Sequence, residues 1–128
     1  MKRKLLPLVL LLLLTGCGKP TGTELKYRQI SMQEAIEIMD TKTGYIILDV
    51  RRPDEFALGH IPNAINVPNE TISIAPIPEL PDKNQRIFVY CRSGRRSKEA
   101  SEKLVALGYT NIVEFGGILD WTGDVVTE

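Results

Sequence analysis

Two apolar runs set the terms for this chain. Tyr45-Ile46-Ile47-Leu48-Asp49-Val50 and Ile87-Phe88-Val89-Tyr90 are almost continuously apolar, without the alternation of a strand that has one wet face. Such runs fit strands covered on both faces, as in a parallel sheet. Parallel strands need long crossovers, and helical signals stand where those crossovers belong. Ser31-Met32-Gln33-Glu34 is a capping-box pattern, and Ala35, Ile36, Ile38 and Met39 supply an apolar face behind it. Pro53-Asp54-Glu55-Phe56 opens a short helix. Residues 61–67 form a short strand or extended passage, punctuated by Pro62 and Pro68. Residues 69–85 carry Pro76, Pro78 and Pro81 and read as an irregular connection anchored by Ile72, Ile74, Ile77 and Leu80. A helix over about 95–107 presents Ala100, Leu104, Val105 and Leu107 inward, pairs Glu99 with Lys103, and ends at Gly108. Residues 111–115 form another strand, and Gly116-Gly117 turn the chain into a last helix around 118–121. The expected fold is a small α/β domain, a mostly parallel sheet flanked by helices on both faces.

The beginning of the chain differs in kind. Met1-Lys2-Arg3-Lys4 is basic, residues 5–14 are nearly pure leucine, and Thr15-Gly16-Cys17 follow. This is the pattern of a secretory signal peptide, over residues 1–16. The apolar run is about half of the ~20 residues that a membrane-spanning helix needs. Leu14-Thr15-Gly16-Cys17 resembles a bacterial lipobox, in which the cysteine is lipidated and becomes the new N-terminus. The expectation is an exported protein, held by lipid on Cys17 at the outer face of a bacterial membrane. Residues 17–28 then serve as a flexible tether and 29–125 as the domain. The whole chain has zero formal charge, which gives no reason to expect nucleic acid as a partner.

With Cys17 lipidated, Cys91 has no disulfide partner within the chain, which has two cysteines in all. A lone thiol in an oxidising compartment is a liability unless it is buried or used. Cys91 ends a predicted strand, and Asp49 stands near the corresponding end of the other. Ligands of open parallel sheets bind beyond such ends. Ser93 and Gly94 let the backbone curl into a concavity of N–H groups, the following helix adds its positive end, and Arg92, Arg95 and Arg96 add full charges. All of these favour thiolate, the nucleophilic form.

Cys91-Arg92-Ser93-Gly94-Arg95-Arg96-Ser97 resembles the active-site loop of rhodanese-like domains. Leu48-Asp49-Val50-Arg51, Glu55-Phe56 and the stretch from Gly59 to Pro68 resemble that family's first signature, and Gly116-Gly117 with Trp121 its closing one. The resemblance covers about residues 29–125 in order and spacing, and implies a single-domain sulfurtransferase. Its cysteine takes a sulfane sulfur from a small anionic donor, thiosulfate or another persulfide, and passes it to a thiol or to cyanide. The chemistry calls for no cofactor. One histidine and one free cysteine argue against a metal site, and the expected state is a monomer.

Three alternatives share the fold. Phosphatases and arsenate reductases place arginine six positions after the cysteine, where this chain has Ser97 and Arg96 falls one short. A purely binding module would be expected to lack the cysteine or disrupt the loop. A sulfur-relay or redox-sensing module would keep the chemistry and serve a partner protein. Within the site, Arg96 is expected to close the loop by pairing with Asp49 or Glu55. Arg92 and Arg95 are expected to face solvent and attract anionic donors, either contacting the substrate or serving as plain surface charges. Arg51 either lines the pocket mouth or supports the loop from beneath. Ser93 and Ser97 donate hydroxyls to a bound anion, or Ser97 caps the helix. His60 is expected to be structural, and Trp121 to belong to the core or the pocket wall.

Overall fold

The computed structural model describes residues 26–127. The predicted signal peptide, Cys17 and most of the tether lie outside the described residues. The elements are β1 (Arg28–Gln29), α1 (Met32–Thr41), β2 (Tyr45–Asp49), α2 (Pro53–Leu58), β3 (Ile65–Asn66), β4 (Arg86–Cys91), α3 (Arg95–Ala106) and β5 (Ile112–Gly117), with 3-10 turns at Asn69–Thr71 and Ile118–Asp120. The five strands form one sheet in the order β1-β5-β4-β2-β3, and every pairing is parallel.

The two apolar runs become the central neighbours β2 and β4, paired from Tyr45 opposite Arg86 to Asp49 opposite Tyr90. Their alternate side chains enter two cores. Leu48, Val50, Ile87, Val89 and Ile112 face α3, which contributes Ala100 and Leu104. Ile47, Phe88, Tyr90, Val113 and Phe115 face the side that holds Ala35 of α1 and Phe56 of α2. Right-handed crossovers explain this division. The chain leaves β2 toward one edge through α2 and leaves β4 toward the other through α3, so the two helices fall on opposite faces. The chain therefore diverges at the C-terminal ends of β2 and β4, where an open parallel sheet leaves a crevice.

Local signals account for the helices. Ser31 caps α1, its Oγ accepting from the Glu34 amide at 3.1 Å. The return half of the expected capping box is replaced by an ion pair, because Glu34 takes Arg28 at 2.9 Å. Pro53 opens α2 at a position that has no use for an N–H. On α3, Glu99 bridges Arg95 and accepts from Asn69, while Lys103 donates to the Asn69 backbone and side chain. The expected Glu99–Lys103 association is thus mediated by Asn69.

Three sequence expectations need correction. In the connection over 69–85, Ile72, Ile77 and Leu80 are buried as anchors, but Ile74 is 95% exposed. It lies midway between inward-facing Ile72 and Ile77, where the irregular chain swings outward. The pair Gly116-Gly117 does not follow the last strand but completes it. The ladder slips between Val89 opposite Glu114 and Cys91 opposite Gly117, so β5 carries one residue more than β4 there, a bulge. The expected last helix is the single 3-10 turn Ile118–Asp120, and Trp121 follows it against Phe115.

Candidate active site

Cys91 is the last residue of β4 and is 1% exposed. After it, Arg92, Ser93 and Gly94 curl back over the sulfur. Gly94 closes the curl in the left-handed region, with φ 115°, which a side chain would oppose. Its amide donates to Cys91 Sγ at 2.9 Å. α3 starts on the next residue, so the sulfur faces a helix N-terminus whose first amides have no partner within the helix.

The curl is fixed from below by β5. A Cβ on Gly117 would overlap the Arg92 carbonyl and the Ser93 nitrogen, so the loop rests directly on glycine backbone. The Leu119 amide donates to the Arg92 carbonyl at 3.2 Å.

Of the three loop arginines, Arg92 and Arg95 are exposed, as expected. Arg95 bridges Glu99 at 2.8 Å. Arg96 turns inward and grips Glu55 with two hydrogen bonds, at 2.6 and 3.0 Å. That pair ties α3 to α2 across the mouth. The Arg96 guanidinium holds the Glu55 carboxyl down from its ordinary 4.5 to about 2. Arg96 also interacts electrostatically with Cys91.

The other expected partner of Arg96, Asp49, is committed elsewhere. Its carboxylate is fully buried and accepts from the Arg51 backbone and from the Arg51 guanidinium at 2.7 to 3.1 Å. Arg51 also donates to the Gly59 carbonyl at 2.6 Å. Arg51 is buried near the Tyr90 ring, and it lines a surface hollow shared with Glu55, Leu58, Arg92 and Leu119. Its guanidinium donates to Asp49 and Gly59 rather than to the loop. Burial and the Asp49 charge push the Tyr90 hydroxyl well above the usual range, so it stays protonated. It accepts from the Ile61 amide at 3.1 Å.

Ser93 is exposed at the mouth. Ser97 is not the cap of α3. It is fully buried, and the residue at the cap position of α3 is Gly94. Ser97 Oγ lies 3.4 Å from Cys91 Sγ, 2.7 Å from Glu114 Oε1 and 2.9 Å from the Gly94 carbonyl. His60 is a packing residue, stacked on Phe56 with ring centroids 3.7 Å apart and Nδ1 2.9 Å from the Phe56 carbonyl.

Glu114 escaped the sequence reading altogether. It is 3% exposed, on the α3 face of β5, and a signal for it existed: one acid within the apolar Ile112-Val113-Glu114-Phe115. An acid in a buried strand needs a local reason.

A short curled loop on a cysteine, seated at the end of a central parallel strand, is the setting of the family resemblance. The rhodanese-like domain model matches residues 31–124. The chain belongs to the rhodanese-like domain family. This rhodanese-like chain is 37% identical over 120 residues to the adenylyltransferase and sulfurtransferase UBA4 of Candida albicans, covering 87% of this chain and 27% of that protein. It therefore spans about a quarter of the length of that relative. It is 38% identical over 73 residues to the thiosulfate sulfurtransferase PspE of Escherichia coli, covering 57% of this chain and 70% of the other. Among solved structures, a rhodanese with anions from E. coli superposes with a TM-score of 0.60 at 34% identity, over 66% of this chain and 99% of that one.

Proposed function

We propose that this rhodanese-like protein is a sulfurtransferase in which Cys91 carries the sulfur as a persulfide. The reading is carried by one observation: Cys91 Sγ sits under a curled loop with the Gly94 amide on it at 2.9 Å, at the start of α3. In the first step the Cys91 thiolate attacks the outer sulfur of thiosulfate. A new S–S bond forms, the donor S–S bond breaks, and sulfite leaves with the electron pair. The persulfide keeps the negative charge on its terminal sulfur, facing the loop. An acceptor thiolate or cyanide then attacks that sulfur, and Cys91 leaves as thiolate. The exposed Arg92 draws the anionic donor to the mouth, and Arg96, held by Glu55, keeps the loop closed. The sulfurtransferase names of the relatives support the reading.

The geometry gives less support to a phosphatase or arsenate reductase. Position 97, where those enzymes place arginine, holds a buried serine turned under the loop toward Glu114. A second reading has an observation of its own. Leu58 is 84% and Leu119 60% exposed beside Arg92 at the hollow's rim. An apolar rim offers nothing to thiosulfate, whereas an acceptor protein would cover it. Sulfur relay to such a partner is compatible with the same Cys91 chemistry. Export and lipid attachment at Cys17 remain part of the proposal, on the sequence pattern alone.

Intact-mass spectrometry after incubation with thiosulfate tests the chemistry. The expected result is one added sulfur, removed by cyanide and absent in Cys91→Ser. Addition to the Cys91→Ser protein, or none to the parent, would reject it.

A further inference from the structure

Glu114 is buried on the α3 face of β5, and its Oε1 has two partners. The Gly116 amide donates to it at 2.9 Å, which satisfies the N–H exposed by the bulge. The second contact is harder to explain as structure. Ser97 Oγ stands 2.7 Å from Oε1 and, on its other side, 3.4 Å from Cys91 Sγ. A hydroxyl has one proton. When Ser97 gives it to the Glu114 carboxylate, its oxygen is left to accept from the sulfur, a contact that favours the thiol. When Glu114 is a carboxylic acid, the acid donates to Ser97 Oγ and the hydroxyl is released to donate to a thiolate, in competition with the Gly94 carbonyl at 2.9 Å and the Gly116 carbonyl at 3.3 Å. The direction of one hydroxyl therefore couples the two protonation states. Two negative charges this close in a buried site oppose each other.

We propose that Cys91 and Glu114 share a single proton across Ser97, so that Glu114 acts as a buried proton store that releases the thiolate without a histidine base. The reading rests on Cys91 being the nucleophile of the proposed function and names a positioning residue for it. The step balances simply. The Cys91 S–H bond breaks as its proton passes to Ser97 Oγ. The Ser97 O–H bond breaks as that proton passes to Glu114 Oε1. No electrons are exchanged between oxidation states, and the buried pair keeps one negative charge throughout. In the persulfide the charge moves to the terminal sulfur under the loop, and the proton stays on Glu114. It returns when the sulfur is discharged.

Among the described residues, these charged and titratable groups interact with the pair. Tyr27, ahead of β1, interacts electrostatically with Glu114. Arg96 of α3 interacts with Cys91 and is itself held by Glu55 of α2. Glu55 titrates near 2, well below the range in which a thiol exchanges its proton. Tyr27 is raised above the ordinary tyrosine value by burial, which also removes it from that range.

The test follows the rate of iodoacetamide alkylation of Cys91 in the full chain across pH, without any sulfur donor. Two groups sharing a proton titrate as a pair. The parent rate should therefore rise in two steps, with a plateau between them. Glu114→Gln should show a single step and a change of about tenfold or more at neutral pH, since coupling above about one pK unit is tenfold. A parent profile with one step that superimposes on the variant's would overturn the proposal. If the variant does not fold, carbon-13 NMR of the glutamate carboxyls in the parent decides the matter. Glu114 should titrate with the two midpoints of the alkylation curve, and a single independent carboxylate titration would reject the shared proton. Neither readout needs sulfur transfer. A two-step profile in a protein that never loads sulfur would sink the proposed function alone, and loading with a one-step profile would sink only the shared proton.

Discussion

At Gly117 the fold leaves no room for a side chain. A Cβ there would meet the backbone of Arg92 and Ser93, which are main-chain atoms and cannot rotate away. Gly117→Ala must therefore push the loop off β5 or pull the strand end down. Overpacking of this kind costs about 1–3 kcal/mol, and a displacement near the reacting atom costs on the order of a hundredfold in rate. Urea denaturation should show the lower midpoint, and single-turnover loading from thiosulfate the slower step. Unchanged loading would mean that the loop does not depend on its seat. The glycine pair was visible in the sequence as a signature, but its reason was not. Composition says that glycine is permissive, and only the register of β4 against β5 shows that Gly117 must be glycine, because it brings the Arg92–Ser93 peptide directly against it. Glu114 makes the same point in reverse. Its oddity among apolar neighbours was legible, while its partner Ser97 is 17 residues away and is brought to it by the crossover through α3.

Between elements, the decisive contact is Arg96 to Glu55, which joins the start of α3 to the first turn of α2. Sequence offered Asp49 and Glu55 as equal candidates, since both are acids of the first signature. Packing separates them. Asp49 ends β2 inside the core and can be tolerated there only with the Arg51 guanidinium two residues on. Glu55 lies in the first turn of α2, partly buried, where the inward-turning Arg96 can reach it. The pair has a consequence for acid stability. Glu55 is held at about 2 in the folded protein against an ordinary 4.5, so its folded value is the lower one. The stabilisation is present above about 4.5 and is lost as pH falls toward about 2. Urea midpoints measured through this window should decline with acidity, and Glu55→Gln should flatten the decline. Parallel declines in both proteins would show that the pair contributes nothing to acid stability.

For the molecule as a whole, residues 26–127 form one sheet with two cores, and the chemistry sits at one end of it. The proposed anchor belongs to this scale as well, because it would decide which side of a membrane the loop faces. Expression in a bacterial host, fractionation and lipid labelling should place the parent in the membrane fraction and Cys17→Ser outside it. Equal partition of the two, with no label on either, would remove the anchor from the proposal. Sequence alone determined the layers of this protein. Short unbroken apolar runs fit strands covered on both faces, and the helix signals between them supply the covers. It also singled out the proposed reactive residue, because a cysteine before a glycine-bearing, arginine-rich helix start is a local arrangement. What only the tertiary structure decided are the choices among partners that local spacing leaves equal: Glu55 rather than Asp49 for Arg96, burial rather than the mouth for Ser97, and Glu114 as a member of the site at all. Those depend on which strands lie side by side and on a one-residue slip in their register, and such distances are set by packing across the sheet rather than by separation along the chain.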